Sequence, residues 1–235
     1  MLTMDAPTQN IALLLFLRNE SEEALAKPLA RGGRRINKAV FQKLNHHAQR
    51  QARRSGLPLL TVKGRQQSGH TFGERLANAF EFAFAQGYGR IIAIGNDCLA
   101  LDAARLIEAA RCLEHTNVVL GPARDGGVYL LGLSRQAYDR RFFLKLPWQT
   151  SRLGSALRQY AGQWGHTPLL LSVEEDADDA FSFLRLVGRL SPYSLLRREL
   201  EKLITPVGRE HIFLMLSHSS QYGHSFLKRG PPSIH

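Results

Sequence analysis

The chain has 235 residues, 44% of them hydrophobic and 22% charged, and this near-average composition argues against collagen-like, low-complexity and disulfide-scaffold proteins. Its two cysteines, Cys98 and Cys112, are too few for a disulfide framework and lack the grouped spacing of a structural zinc site. The net charge of +11 comes from residues 18–65 and 185–235, which flank a slightly acidic middle, and we expect most of these basic residues simply to solvate the surface.

In chain order, short apolar runs alternate with segments of helical periodicity, which predicts βαβ units around a mostly parallel sheet. The predicted strands are 11–16, 59–62, 91–94, 118–120, 128–133 and 168–173. The predicted helices are 36–54, 71–86, 151–163, 178–190 and 193–203, with one more that Asp102 caps. The chain therefore belongs to the α/β class.

The domain organisation follows from a change of pattern after residue 176. We predict an α/β domain over 10–190, an appended helical segment over 191–216, and a polar tail over 217–235 that we expect to be disordered. No apolar run approaches the roughly 20 residues of a membrane helix. Residues 1–10 carry one acidic and no basic residue, unlike a signal peptide, so we expect a soluble, cytoplasmic protein.

Carboxylates follow two of the predicted strands. Asp97 comes directly after strand 91–94, and an acidic cluster follows strand 168–173: Glu174, Glu175, Asp176, Asp178 and Asp179. Ligands of open α/β sheets bind beyond the carboxyl ends of strands, and carboxylates there suit a divalent cation that neutralises a diphosphate. The alternative is that some of these residues only cap the following helices.

The segment 121–129 contains Asp125-Gly126-Gly127 between two predicted strands. Adjacent glycines allow a tight turn and a close approach of the backbone to a ligand. The same pattern is also typical of an ordinary hairpin turn, and both interpretations stay open at this point.

Four motifs occur in a specific order: QSG at 67–69 with FGERL at 72–76, GNDC at 95–98, GPARDGGVYLLGL at 121–133, and PWQTS at 147–151. Together they resemble the bacterial glycosyltransferases of the DUF2064 group, over about 66–181. This resemblance implies a Rossmann-like GT-A (nucleotide-diphospho-sugar transferase) fold, akin to molybdopterin-guanine nucleotidyltransferases. Such a domain, here 10–190, has helices on both faces of a mixed, mostly parallel sheet.

The resemblance also implies roles for individual residues. Asp97 would bind the metal of a metal–nucleotide-sugar complex, and Glu174 and Asp176 match a late acidic pair that contributes to the same site. Gly73 and Arg75 would line the nucleotide site, and Trp148 would lie over the crevice, unless it is only a half-buried loop aromatic. The residues that would shape the sugar or acceptor site are Arg124, Asp125, Gly126, Gly127 and Tyr129.

The segment after the first strand departs from the family pattern. Where the family has a Pro/Gly-rich loop and basic residues that would hold phosphates, this chain offers Arg18 and Lys27 as substitutes. Glu20, Glu22 and Glu23 lie in the same segment and would repel a diphosphate. We therefore expect slow or undetectable transfer from common nucleotide sugars.

Three functions remain open from the sequence. The leading hypothesis is transfer of a sugar from a nucleotide-sugar donor to an unidentified acceptor, with Mn²⁺ or Mg²⁺ as cofactor and Asp125 orienting or deprotonating the acceptor hydroxyl. The alternatives are nucleotidyl transfer on the same fold, and a non-catalytic protein that binds partners through its basic flanks. No RNA-binding motif supports a nucleic-acid partner.

Overall fold

The computed structural model describes residues 10–163, 165 and 167–204. The strands are β1 (Ile11–Leu17), β2 (Leu59–Lys63), β3 (Arg90–Ile94), β4 (Val118–Pro122), β5 (Val128–Ser134) and β6 (Leu169–Leu170). The α-helices are α1 (Glu20–Ala26), α2 (Gly33–Arg54), α3 (Phe72–Ala85), α4 (Ala103–His115), α5 (Arg140–Phe143), α6 (Leu153–Gln163), α7 (Ala180–Arg189) and α8 (Leu195–Ile204).

The six strands form one sheet in the order β2-β1-β3-β5-β4-β6. All neighbouring pairs are parallel except those of β5, which runs antiparallel to both β3 and β4. This confirms the mixed, mostly parallel sheet. Strands β1 and β3 end, and β5 begins, at the same edge of the sheet, so the loops attached there lie close together.

Helices cover both faces of the sheet because the central strands are apolar on both sides. In β1, Ala12 and Leu14 pack in the same core cluster as α3, whereas Leu13 and Leu15 pack on the opposite face with α4. Successive side chains of a strand point to opposite faces, so a continuous apolar run serves both layers.

The predicted helix starts at Thr71 and Asp102 are confirmed. Thr71 Oγ1 accepts the N–H of Glu74, and Asp102 Oδ1 accepts the N–H of Arg105. The predicted strand over 168–173 is wrong in length, because β6 is an edge strand of two residues, which among the described strands pairs with β4 alone. Sequence reasoning also missed α1, which Asn19 caps by accepting the N–H of Ser21.

The helices α7 and α8 pack against α2 in a third core cluster, which contains Phe41, Leu44, Phe183 and Leu200. Residues 205–235 lie outside the described residues, and with them the predicted tail over 217–235 and part of the segment 191–216. In the described part of the chain, no helix is long and apolar enough to cross a membrane.

Candidate functional site

A crevice opens at the edge of the sheet where β1 and β3 end. Because β5 is antiparallel, its first residues lie at this same edge, and the segment that follows β6 completes the wall. The crevice encloses a cavity of about 520 Å³, with Phe16, Phe72 and Leu131 among its apolar lining residues. This is the position at which open α/β sheets bind their ligands.

Lys27 lies between two of the carboxylates that the crevice brings together. Its Nζ donates to Asp178 Oδ1 at 2.7 Å and lies 3.6 Å from Asp97 Oδ2. The backbone carbonyl of Asp97 accepts the N–H of Ala177 at 3.1 Å, which joins the loop after β3 to the segment after β6. Burial lowers the pKa of Lys27, but the charges of Asp97 and Asp178 outweigh burial and raise it.

Asp176 is the least compensated carboxyl group in the crevice. Its Oδ1 is buried and has no hydrogen-bond partner among the described residues. Burial, followed by the charges of Asp97 and Asp178, raises the pKa of Asp176 to about 8. An oxygen that is buried without a partner costs free energy unless a ligand satisfies it.

Glu174 and Glu175 come from the same acidic run but do not line the crevice. Glu174 forms an ion pair with Arg105 on α4, and Glu175 forms ion pairs with Arg185 and Arg189 on α7. The structure therefore brings Asp97 and Asp176 together, whereas the carboxylate of Glu174 is held by Arg105.

Of the three glutamates in α1, only Glu23 lines the crevice. Glu20 pairs with Lys63 and accepts a hydrogen bond from Asn45, and Glu22 is exposed to solvent. Glu23 Oε2 accepts a hydrogen bond from Asn96 at 3.1 Å, and its pKa rises to about 7, chiefly because it is buried. The expected repulsion of a diphosphate is thus reduced to one partly protonated group.

The loop between β4 and β5 presents Asp125 to the cavity. Asp125 Oδ1 accepts the N–H of Gly127 at 2.8 Å, which fixes the carboxylate on the turn. Gly126 has φ +91°, and a Cβ there would collide with the carbonyl of Ser151, so this position requires glycine. Arg124 is exposed and does not line the cavity.

Trp148 forms the opposite wall of the cavity and is half-buried. Its Nε1 donates to the carbonyl of Phe143 at 2.9 Å, and its ring packs 5.7 Å from that of Phe72. A Cβ at Gly73 would collide with the Trp148 ring, which explains the small residue there. Gln149 lines the cavity beside it with φ 61°, a rare conformation for a residue with a side chain.

The crevice therefore unites most, but not all, of the residues that the sequence singled out. Those lining it are Arg18, Lys27, Asp97, Asp125, Gly127, Tyr129, Trp148 and Asp176. Those outside its lining are Gly73, Arg75, Arg124, Gly126 and Glu174. Arg75 instead donates to the carbonyl of His70 at 3.2 Å. Asn96 and Gln149 also line the cavity. Both lie in motifs that the sequence analysis singled out, GNDC and PWQTS, but neither residue was assigned a role.

The charges of the crevice bear on whether it suits a divalent cation. Among the described residues, no three His, Cys, Asp or Glu side chains are grouped closely enough to hold a metal ion by themselves. Nucleotide enzymes commonly hold Mg²⁺ with only one or two carboxylates and the substrate phosphates. Two cationic side chains face five carboxyl groups here: Glu23, Asp97, Asp125, Asp176 and Asp178. With the unpartnered Asp176 Oδ1, this donor set fits a cation that arrives with an anionic ligand.

Comparison with protein families gives one match, to the family described as "Uncharacterized protein conserved in bacteria (DUF2064)", over residues 22–150. This range includes most of α1, Lys27, the loop of Asp97, the β4–β5 hairpin and Trp148. A search of curated proteins finds no match.

Among solved structures, a protein from Desulfovibrio desulfuricans G20, named as a proposed nucleotide-diphospho-sugar transferase, matches with a TM-score of 0.74. It is 19% identical and the match covers 84% of this chain and 97% of that chain, which shows a shared fold. Rv0371c from Mycobacterium tuberculosis H37Rv, solved with manganese, is 14% identical over 77% of this chain and 100% of that chain, with a TM-score of 0.44. A cytidylyltransferase from Leptospira borgpetersenii serovar Hardjo-bovis is 12% identical, with a TM-score of 0.45, and the match covers 94% of this chain and 99% of that chain.

Proposed function

The chain belongs to the DUF2064 family, and we propose that it transfers a sugar from a nucleotide-sugar donor to an acceptor hydroxyl in the crevice, with a divalent cation as cofactor. The observation that carries the proposal is the excess of carboxyl groups in the crevice. These carboxylates would repel a diphosphate alone. Bound Mn²⁺ or Mg²⁺ would offset the negative charge of the carboxylates and of the diphosphate together.

Asp97 and Asp176 are the residues that would hold the cation. When bound, Mn²⁺ or Mg²⁺ supplies positive charge that stabilises the departing diphosphate. Arg18 lines the crevice just beyond the end of β1, where its guanidinium suits two phosphate oxygens at once. Lys27 offers a second cation on the neighbouring wall. Such fixed charges act on the charge that develops at the leaving group, which is where electrostatic catalysis is most effective.

Asp125 is the residue we assign to the acceptor. The N–H of Gly127 holds Oδ1, so Oδ2 is the oxygen that would take the proton from the attacking hydroxyl. Trp148, held by its bond to Phe143, offers a flat apolar wall of the kind on which sugar rings stack.

A thermal-shift panel tests the proposal. Nucleotide sugars are tested one by one, each with and without MnCl₂, and a donor at about 100 times its Kd should raise the Tm by roughly 5–10 °C only when manganese is present. The product then identifies the reaction, since sugar transfer releases a nucleoside diphosphate and nucleotidyl transfer releases pyrophosphate. If no nucleotide sugar or nucleoside triphosphate shifts the Tm, the crevice is not a nucleotide site.

A further inference from the structure

Lys27 occupies an unexpected place for a phosphate-binding residue. Its ammonium contacts Asp178 and lies within 4 Å of Asp97, so in the absence of ligand it neutralises carboxylates. Only 20% of its side chain is exposed, which shows that it lies between the walls of the crevice. The carboxylate of Asp97 thus already has a cation of the protein beside it.

The backbone around Lys27 explains why the side chain reaches this position. Lys27 ends α1, and its N–H donates to Glu23 O at 2.8 Å. Pro28 follows, and a residue before proline is kept out of the helical region, so the chain turns away with Lys27 at φ −141° and ψ 81°. The side chain itself keeps four rotatable bonds and can point its ammonium at a different partner.

We propose that Lys27 is an internal counter-ion that competes with the divalent cation for Asp97 and passes to the diphosphate when a metal–nucleotide complex binds. The proposal rests on the proposed function for the identity of the anion. In the free protein an ammonium beside Asp97 repels a second cation, so manganese alone binds weakly. When a diphosphate enters with the metal, the ammonium moves to a phosphate oxygen and Asp97 becomes available to the metal. Lys27 is therefore a positioning residue that couples metal binding to donor binding.

The test is Lys27→Met, which removes the charge but keeps an unbranched side chain of similar length. We expect this variant to bind MnCl₂ about tenfold more tightly than the wild type, as measured from the free-manganese signal in electron paramagnetic resonance. With saturating manganese, isothermal titration with UDP and with GDP should show about tenfold weaker binding by the variant. Opposite changes for the metal and for the anion are the signature of the exchange.

Two controls keep the outcomes distinct. Lys63→Met removes another lysine from an ion pair, with Glu20, outside the crevice lining, and should leave manganese affinity unchanged. Lys27→Arg keeps the charge and should keep manganese binding weak, even if Lys27→Met folds poorly. Equal manganese affinity of folded Lys27→Met and wild type overturns the counter-ion role, and tighter binding of both ligands overturns the transfer to the diphosphate. If neither protein binds UDP, GDP or any other nucleoside diphosphate, the proposed function fails, while the manganese result still decides the counter-ion role.

Discussion

Two pairs of acidic residues follow the same edge strand and reach opposite electrostatic outcomes. Glu174 and Glu175 are matched by arginines from α4 and α7. Asp176 and Asp178, directly after them, face a crevice in which Lys27 provides the nearby cation. A neighbouring cationic side chain, rather than acidity itself, therefore separates a structural carboxylate from one that is available to a ligand.

The backbone produces this separation. Glu174 is held by bridging hydrogen bonds to the end of β4, its N–H donating to Pro122 O and its carbonyl accepting from Arg124. Ala177 then donates to Asp97 O, which draws the next residues over the crevice. Consecutive side chains of an extended segment point in opposite directions, which agrees with Glu175 facing the arginines of α7 while Asp176 faces the cavity. Glu174 is two residues before Asp176, and its carboxylate is kept out of the cavity by the ion pair with Arg105.

The largest expected effect is on ligand binding. Asp97→Asn should abolish manganese-dependent nucleotide binding, with at least about a 100-fold loss of affinity, because the amide loses the charge that holds the cation. Glu174→Gln, the matched carboxyl-to-amide change, should alter the affinity for nucleotide and manganese by no more than about twofold, because the Glu174 carboxylate pairs with Arg105. The measurement is the Tm shift by nucleotide and MnCl₂, with circular dichroism as the check on folding. Wild-type-like binding by Asp97→Asn would remove this residue from the site.

The next effect concerns stability and pH. The folded-state pKa of Asp176 is raised to about 8 from an ordinary value of 3.8, so the folded protein binds more protons than the unfolded chain between these values. The free energy of unfolding should therefore fall as pH rises from about 5 to 8, by on the order of 1–3 kcal/mol in metal-free buffer. Asp176→Asn should remove part of this slope and be more stable than the wild type at pH 8, while losing metal-dependent binding.

Glu175→Gln is the matched control for the effect of Asp176→Asn on the pH dependence of stability. It breaks ion pairs with two arginines that are themselves partly exposed, so we expect a loss of about 1 kcal/mol and an unchanged pH slope between pH 5 and 8. Urea denaturation at several pH values measures both variants. A flat wild-type profile over this range would contradict the picture of strained carboxyl groups in the crevice.

Most of the fold could be predicted because it depends on local patterns. The apolar runs of β1 and β3 are buried on both faces, and Thr71 and Asp102 cap helices next to apolar periodicity. The position of Asp97 after β3 follows from the same logic. Helix α1 escaped prediction because it buries only Ala24 and leaves Leu25 exposed, so it has almost no apolar periodicity.

The pairing of the charges could not be predicted from the sequence. Lys27 and Asp178 are 151 residues apart, and Arg105 and Glu174 are 69 residues apart. No periodicity relates such distant residues, and the acidic run 174–179 looks uniform when it is read as a sequence. The division of this run into carboxylates that pair with arginines and carboxylates that line the crevice arises only from the folded structure.

A smaller effect is expected at Glu23, the one glutamate of α1 that lines the crevice. Glu23→Gln should tighten manganese-dependent nucleotide binding about two- to fivefold at pH 8, where the wild-type carboxyl is mostly ionised. Because its pKa is about 7, the difference should disappear near pH 6, where the wild type is largely protonated. Glu22→Gln, an exposed change on the same helix, is the matched control and should have no effect at either pH. Equal gains for both variants would indicate a general change of charge, not a contact in the crevice.

The smallest expected effect is on binding of nucleic acid by the basic flank. Residues 18–65 carry 12 Lys and Arg against 3 Asp and Glu, but Lys27, Lys43 and Lys63 are held in ion pairs with acidic side chains. We therefore expect only weak retention of single-stranded RNA that falls steeply with salt, since screening beyond about 8 Å is strong at physiological ionic strength. Replacing the exposed Arg53 and Arg54 by Gln should lower the salt slope of log K by no more than about 2, whereas Asp97→Asn should leave it unchanged. Filter binding at several salt concentrations measures the slope. Tight RNA binding that resists salt would place the function on the basic flank and would make the carboxylates of the crevice incidental.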